Sequence, residues 1–318
     1  MQVGSRAVAL LGVTVMLSAV GLFAQAPAAT AGGTQFLVTL EGKNLPPGSV
    51  KRTDVVVKVD GKKVPITAWT PLLAQGEGAE MAFLLDDSLR VRVVREFTDM
   101  KQFFNALPSS IQVGVGYMTN GNVMMGQGFT SNRDLDIQGL RIPGGSSGTN
   151  GNPYFCLSSL AKNWPSRATN KARIVLMVSN GVDRYDGPGG ALDLQDPYVD
   201  AAIKDAQRAG ITVFSIYFQD QGFNDRTDLN TQGGQSRLQQ VSQGTGGVAF
   251  YQGSFNPVSF TPFFDEFRSA LANQYVVTVQ APGKGLQRLK VNTELHHVKV
   301  TSPDIVMIGR QIDGVTAN

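Results

Sequence analysis

The sequence predicts an α/β fold, a doubly wound, mostly parallel, Rossmann-like sheet, with a small flanking β domain built from the N- and C-terminal segments. Two observations predict it. Apolar runs long enough for strands buried on both faces alternate with stretches in which apolar residues recur at helical spacing. Before and after this region lie β-branched runs without helices between them. Successive βα units require helices on both faces of a parallel sheet, because crossover connections are right-handed.

The N-terminal segment, residues 1–31, is typical of a secretory signal peptide. Arg6 precedes the uncharged apolar stretch Ala7–Ala24, and Ala-x-Ala patterns follow at Ala24–Ala26 and Ala29–Ala31. A retained membrane anchor is the alternative, because the stretch approaches the length of a spanning helix. Its glycines and the small residues after it favour cleavage. We therefore expect a secreted or periplasmic protein with no stable membrane insertion after cleavage.

The first β-rich flank, residues 34–77, contains the runs "TQFLVTLEG" and "DVVVKVDGKKVPI". Asp60-Gly61 interrupts the second run and predicts a hairpin turn. The α/β domain is expected over residues 78–273. A second β-rich flank, residues 274–304, is expected to pair with the first, and residues 305–318 are expected to be a C-terminal tail.

The α/β region begins with the strand "MAFLLDDS". A helix is predicted over Val91–Leu107, because apolar residues recur there at helical spacing before Pro108 ends the run. Asn120-Gly121 joins two strands in a predicted hairpin. A helix over "NRDLDIQGLRI", the loop "PGGSSGTNGN" and a helix around Cys156 follow.

The second half of this region repeats the alternation. "ARIVLMVSNG" is a second buried strand. The next helix is bounded by Asp196 as N-cap, Pro197 at its first position and Gly210 at its end. The strand "ITVFSIYF", a helix over "SRLQQVSQGTG", the strand "GVAFYQ" and a helix over "FTPFFDEFRSALANQ" complete it.

Composition limits the functions that can be considered. The chain has 318 residues, 42% of them hydrophobic and 17% charged, which is ordinary for a packed globular protein. The net charge of +3 is too weak to argue for binding to nucleic acid or an anionic membrane. Cys156 is the single cysteine, so no intrachain disulfide can form, and its apolar surroundings in sequence indicate a buried side chain.

Three loops are expected to meet where the parallel strands end, because doubly wound sheets bind ligands beyond the carboxyl ends of their strands. These loops are Asp86–Arg90, Gly144–Thr149 and Ser179–Asp183. We call this end of the sheet the carboxyl edge.

The order of several segments resembles a von Willebrand factor type A (vWA) domain, in particular the secreted Acidobacteria-type vWA-related branch. The segments are "LLDDSLR", "GGSSGT", "LMVSNGVD", "AGITVFSIYF", "GTGGVAFY" and "NQYVVTVQAP". The resemblance covers about Thr34 to Asp304. It implies a metal-ion-dependent adhesion site with D-x-S-x-S after the first strand, a threonine in a G-G-T loop and an aspartate in T-D-G after the fourth strand.

The chain departs from this implied site at three positions. Asp86 and Ser88 match, but Arg90, Ser146 and Asn180 stand where the site has serine, threonine and aspartate. A complete site has two formal negative charges, whereas Asp86, Asn180 and Arg90 sum to about zero, which leaves little attraction for a divalent ion.

We therefore expect a degenerate site in which Asp86 and Ser88 hold Arg90 and loop backbone, with Ser146 and Asn180 as further binding residues. No cofactor is expected. If Mg²⁺, Mn²⁺ or Ca²⁺ did bind, Asp86, Ser88 and Ser146 would be its ligands. Asp87 could restore charge, although adjacent residues on a strand end normally point in opposite directions.

The function indicated is that of an exported, non-enzymatic binding or scaffolding module that mediates protein–protein interaction, with no nucleic-acid partner. A metal-dependent adhesion module with a retained site is the alternative. A hydrolase using Asp86 and Asp87 as acid and base is less favoured, because adjacent strand residues do not face a common bond. His296 and His297 are interpreted as ordinary strand residues, since no acidic or thiol partner is near in sequence.

Overall fold

The structure is a computed structural model. It describes residues 33–43, 45–74, 78–144, 152–168, 171–183, 196–219, 228–253 and 255–309, without the side chains of Arg90 and residues 228–230. All these ranges belong to one compact unit, Ala31–Asn318.

The described strands, in chain order, are β1 (Gly33–Gly42), β2 (Val55–Val59), β3 (Lys62–Lys63), β4 (Ile66–Pro71), β5 (Ala79–Asp86), β6 (Ile111–Thr119), β7 (Asn122–Met125), β8 (Ala172–Ser179), β9 (Ile211–Tyr217), β10 (Ala249–Phe250), β11 (Gln274–Gln280), β12 (Gly285–Thr293), β13 (Val298–Thr301) and β14 (Ile305–Ile308). The described α-helices are α1 (Phe97–Ala106), α2 (Arg133–Gln138), α3 (Pro153–Lys162), α4 (Pro197–Ala209), α5 (Asp228–Gly244) and α6 (Thr261–Ala272). Two 3₁₀ helices span Arg52–Asp54 and Asp87–Glu96.

The central sheet has the strand order β10-β9-β8-β5-β6-β7. Its strands run parallel except β7, which forms an antiparallel hairpin with β6. Every residue of β5 is buried, as the apolar run Met81–Leu85 within it predicted. The predicted mostly parallel sheet is confirmed.

Helices cover both faces of this sheet. Met81 and Phe83 of β5 belong to a core that also contains Phe104 of α1 and Phe267 of α6. Leu84, which points the other way, belongs to a second core shared with α3 and α4. The sheet is therefore doubly wound, as predicted.

The predicted helix boundary and hairpins are also observed. Asp196 caps α4 by accepting hydrogen bonds from the backbone N–H groups of Tyr198 (2.9 Å) and Val199 (3.3 Å). Gly210 ends the helix in the left-handed conformation at φ 62°. The turns at Asp60-Gly61 and Asn120-Gly121 have the positive φ angles that tight hairpins require.

The two flanks form two four-stranded sheets, in the orders β13-β1-β11-β4 and β14-β12-β2-β3. Strands from opposite ends of the chain pair in both, β1 with β11 and β2 with β12. Valines of both sheets share one core, among them Val57, Val277 and Val291. Leu37 and Val276 instead join the core under the central sheet. The domain boundaries at 77/78 and 273/274 remain a prediction.

Three expectations are corrected. Residues 305–308, assigned to the tail, form β14, because Val306 and Ile308 enter the core while pairing with β12. The helix predicted from Val91 is 3₁₀ as far as Glu96 and becomes α at Phe97. His296 and His297 occupy the turn before β13, with His297 at φ 58°.

Helices long and apolar enough to traverse a bilayer are not found within the described ranges.

Candidate functional site at the carboxyl edge

Asp86 is the last residue of β5 and joins two strand ends. Its side chain accepts a hydrogen bond at Oδ1 from the backbone N–H of Ser88 (2.9 Å) and at Oδ2 from the hydroxyl of Ser179 (2.7 Å). Ser179 is the last residue of β8, which pairs with β5. Only 5% of Asp86 is exposed. The carboxylate is thus a buried crosslink between neighbouring strands.

Asp87 has a different partner. Arg141 donates from Nη1 to Oδ1 (2.9 Å) and from Nη2 to Oδ2 (3.0 Å), and the backbone N–H of Gly144 also donates to Oδ1 (3.2 Å). The Arg141 guanidinium lies 3.7 Å from the ring centre of Tyr117. Its hydrogen bonds to Asp87 raise the pKa of Arg141, so the guanidinium stays charged at neutral pH.

The loop after β8 packs closely against α5. Asn180 is buried, and its Oδ1 accepts a hydrogen bond from the backbone N–H of Val182 (2.9 Å). Gly181 has φ +66°, and a Cβ there would lie 2.3 Å from the carbonyl oxygen of Gly234. The close approach excludes a side chain at either glycine and fixes the loop on the helix.

A buried polar cluster lies beneath this loop. The fully buried Tyr154 donates to the carbonyl of Gly181 (2.8 Å). Arg237 Nε lies 3.0 Å from Asp196 Oδ2, both side chains being almost inaccessible, although the two atoms lack the alignment of a hydrogen bond.

Burial raises the pKa of Tyr154 well above the ordinary tyrosine value; Arg237 opposes this rise, and the carboxylates of Asp196, Asp183 and Asp86 add to it. The tyrosine therefore stays protonated and serves as a donor.

The strand at the centre of the sheet, β5, ends in Asp86 and lies between β6 and β8, with helices on both faces. The α/β part of the chain is a doubly wound, mostly parallel α/β domain. The vWA family and its Acidobacteria-type branch remain predictions. No protein family matches the sequence, and no curated protein matches it either.

Solved structures similar to the chain include BatB from Bacteroides thetaiotaomicron, with 18% identity, a TM-score of 0.43, and coverage of 61% of this chain and 99% of that one. An aerotolerance-related membrane protein from Bacteroides fragilis has 15% identity, a TM-score of 0.41 and coverage of 61% and 98%. The ArnB paralog VWA2 from Sulfolobus acidocaldarius has 8% identity, a TM-score of 0.36 and coverage of 86% and 76%.

The central sheet brings some of the predicted site residues together. Asp86, Ser88 and Asn180 all lie at the carboxyl edge, and the hydrogen bond from Ser179 to Asp86 joins the first and third predicted loops. Of the second loop only Gly144 is described, and it contacts Asp87. Ser146 and the side chain of Arg90 lie outside the described residues, so the pairing of Arg90 with Asp86 remains a prediction.

Sequence reasoning missed several residues of this edge. The sequence predicts no role for Ser179, and it gives no sign of the contact between Arg141 and Asp87, because these residues are 54 positions apart. Asp196 was identified only as a helix cap, which gave no sign of its ion pair with Arg237. The one signal available was the polar ending "SNG" of an otherwise apolar strand.

The side-chain oxygen atoms of Asp86 and Asn180 at this edge already have hydrogen-bond donors from the protein. Within the described ranges, no group of three or more His, Cys, Asp or Glu side chains is placed to hold a metal ion. A cation would have to displace or share these contacts and would meet a neutral amide at position 180.

Proposed function

We propose that the chain is an exported, non-enzymatic binding module of the vWA type, whose degenerate adhesion site mediates protein–protein interaction without a metal ion. The observation that carries the proposal is the state of Asp86. Its buried carboxylate links β5 to β8 through Ser179, and it also accepts a hydrogen bond from the backbone N–H of Ser88 in the 3₁₀ helix that follows β5. A buried carboxylate with two hydrogen-bond donors is better placed to hold strand ends beneath a binding surface than to coordinate a ligand that arrives from solvent.

Exposed apolar side chains at the same edge support the surface role. Val91, in the 3₁₀ helix that follows β5, is 64% exposed, and Ile142, beside Arg141, is 58% exposed. Apolar residues held at a sheet edge and surrounded by polar groups are typical of protein interaction sites.

A metal-dependent adhesion module is the alternative function, and calorimetry separates the two. We expect the melting temperature of the wild type to be unchanged by millimolar Mg²⁺ or Mn²⁺. The double variant Arg90→Ser/Asn180→Asp restores D-x-S-x-S and the second carboxylate. It should be less stable without metal and recover with it.

The matched control is Arg95→Ser/Asn180→Asp, which removes an arginine from the same 3₁₀ helix without restoring the motif. It should show no recovery with metal. Binding of Mg²⁺ by the wild type at one-to-one stoichiometry, lost in Asp86→Ala, would overturn the metal-free proposal in favour of the alternative.

Interaction at this edge is tested by photo-crosslinking in the native envelope fraction. A photoreactive residue at position 91 or 142 should form adducts with another protein, whereas one at the exposed Lys204 of α4 should not. Equal adducts at all three positions, or none at 91 and 142, would contradict a binding surface at the carboxyl edge.

The hydrolase alternative finds little support. Asp86 is bound to Ser179 and Asp87 to Arg141, so the two carboxylates engage separate partners and do not share an opening. The non-enzymatic proposal is tested by assaying Asp86→Asn and Asp87→Asn against a panel of ester and glycoside substrates. Activity of the wild type that both variants lose would contradict it.

Export is tested by N-terminal sequencing of the protein isolated from the cell envelope and medium. The proposal expects a first residue between Gln25 and Gly32. A chain beginning at Met1 or Gln2 in the membrane fraction would instead support the retained anchor.

A further inference from the structure

Three adjacent strands of a flanking sheet place lysines directly opposite one another. In the register of this sheet Lys58 of β2 lies opposite Lys290 of β12 on one side and opposite Lys63 of β3 on the other. Arg288 lies two residues before Lys290 and so faces the same way. All four side chains are exposed. We call Lys58, Lys63, Arg288 and Lys290 the basic face.

The opposite side of these strands fixes this arrangement. Val57, Val59, Leu289 and Val291, which alternate with the basic residues, are buried in the core between the two flanking sheets. A slip of one residue would bury the lysines and expose the valines, so the register is strongly determined. The cations are therefore held in a fixed row.

This row lacks internal compensation. Like charges directly opposite one another destabilise a sheet. None of the four basic residues has an ion pair with another described residue. Asp60 lies at the end of the row, where its Oδ1 accepts a hydrogen bond from the backbone N–H of Arg288 (2.9 Å). Apart from Asp60, the row therefore presents its positive charge to solvent without an acidic partner among the described residues.

We propose that the basic face docks on a membrane surface that contains anionic phospholipids. Charge complementarity favours an anionic partner, and neighbouring strands about 4.8 Å apart give a shallow array of cations suited to a layer of phosphate groups. Lysine binds phosphate as a point charge without a defined fork geometry, which suits mobile headgroups.

One prediction from the sequence favours lipid over other polyanions. The predicted export signal brings the chain to a membrane and away from nucleic acid. The choice of lipid rests on that predicted export, whereas the basic face itself does not.

The proposal is tested by measuring how much of the protein, isolated after export, binds to lipid vesicles. Vesicles of phosphatidylcholine with phosphatidylglycerol should retain the protein, and vesicles of phosphatidylcholine alone should retain much less. Each lysine near an anionic surface contributes about fivefold in affinity. Lys58→Glu should therefore weaken binding by about fivefold or more, and added salt should weaken binding of the wild type.

The same substitution reports on folding. A glutamate at position 58 replaces two repulsive cross-strand pairs with two attractive ones, so Lys58→Glu should raise the melting temperature while it weakens vesicle binding. Lys101→Glu makes the same change in net charge on α1 and should leave vesicle binding nearly unchanged. Lys290→Gln provides a second variant in case glutamate disturbs the sheet.

Three results would overturn the proposal. The first is wild-type binding that is equal on neutral and anionic vesicles. The second is equal loss of binding in Lys58→Glu and Lys101→Glu. The third is absence of binding to either kind of vesicle together with binding of soluble polyglutamate through the basic face, which would identify an acidic polypeptide as the occupant. None of these results bears on the proposed site at the carboxyl edge, which lies on a different sheet.

Discussion

Arg141 donates hydrogen bonds to both carboxylate oxygens of Asp87, at 2.9 and 3.0 Å, and so connects the start of the 3₁₀ helix to the loop after α2. The two side chains are unequally exposed, 45% for Arg141 and 7% for Asp87. Loss of the pair should therefore cost the buried carboxylate more free energy than the exposed guanidinium, which water can solvate.

Removal of the guanidinium should destabilise the protein. Arg141→Ala leaves a buried charge without its partner, and we expect a loss of about 1–3 kcal/mol in the free energy of unfolding. Asp87→Asn in the same background should recover part of that loss, giving a favourable coupling energy in a double-mutant cycle measured by urea denaturation. The control is Arg268→Ala, which breaks the exposed pair with Asp265 and should cost about 0–1 kcal/mol. Equal effects of the two alanine variants would contradict this account.

Gly234 of α5 should not tolerate alanine. Alanine normally stabilises a helix interior by about 1 kcal/mol relative to glycine. Here a Cβ would lie 2.1 Å from the backbone oxygen of Asn180, which cannot move without displacing the loop. We expect Gly234→Ala to lower the unfolding free energy by about 1–3 kcal/mol or more. Gly128→Ala, where no atom lies within 4 Å of the added Cβ, is the control and should be near neutral in thermal unfolding.

Asp99 and Glu96 should affect acid stability in opposite directions. For Asp99, burial raises the pKa, but hydrogen bonds from Ser259, Phe260 and Thr261 outweigh it, and the net pKa is lowered. The stability from Asp99 is therefore present above the unfolded-state pKa and is lost as the pH falls through the folded pKa. For Glu96, burial and the charge of Asp99 raise the pKa, so its contribution is lost as the pH rises through the folded value.

Urea denaturation across the acid range tests both signs. Asp99→Asn should reduce the free energy of unfolding at neutral pH and flatten its decline toward low pH, because the carboxyl group with the lowered pKa is absent. Glu96→Gln should increase stability at neutral pH and change little in acid. If Glu96→Gln were as destabilising as Asp99→Asn at neutral pH, the assignment of opposite signs would be wrong.

Deletion of Tyr275–Asn318 should cause aggregation. The deletion removes nearly all of β11 from between β1 and β4, and it removes β12 from beside β2. The exposed edges, including Val55–Val59, are apolar and can pair with another copy. Light scattering during expression and refolding measures the effect. Deletion of residues 310–318 alone removes no described strand and is the control; a monomeric long deletion with the wild-type melting temperature would argue against flank pairing.

Much of the fold could be predicted because its signals are local. The buried strand β5 follows from the consecutive apolar residues Met81–Leu85, and the ends of α4 follow from Asp196 and Gly210. β14 was missed because four residues near the end of the chain carry too weak a pattern to distinguish a strand from a tail. It forms only because β12 offers an edge and a core for Val306 and Ile308.

The candidate site was predictable in position but not in its contacts. The sequence by itself determined that polar residues follow buried parallel strands, which places Asp86, Ser88 and Asn180 at one edge, because hydrophobic patterning and chain direction decide where such strands end. Only the tertiary structure decided that Ser179 donates a hydrogen bond to Asp86 and that Arg141 donates to Asp87. It also decided that Lys58 lies between Lys63 and Lys290. Such partners are separated by tens to hundreds of residues, and hydrogen-bond geometry and strand register depend on how the whole chain packs, which no local pattern records.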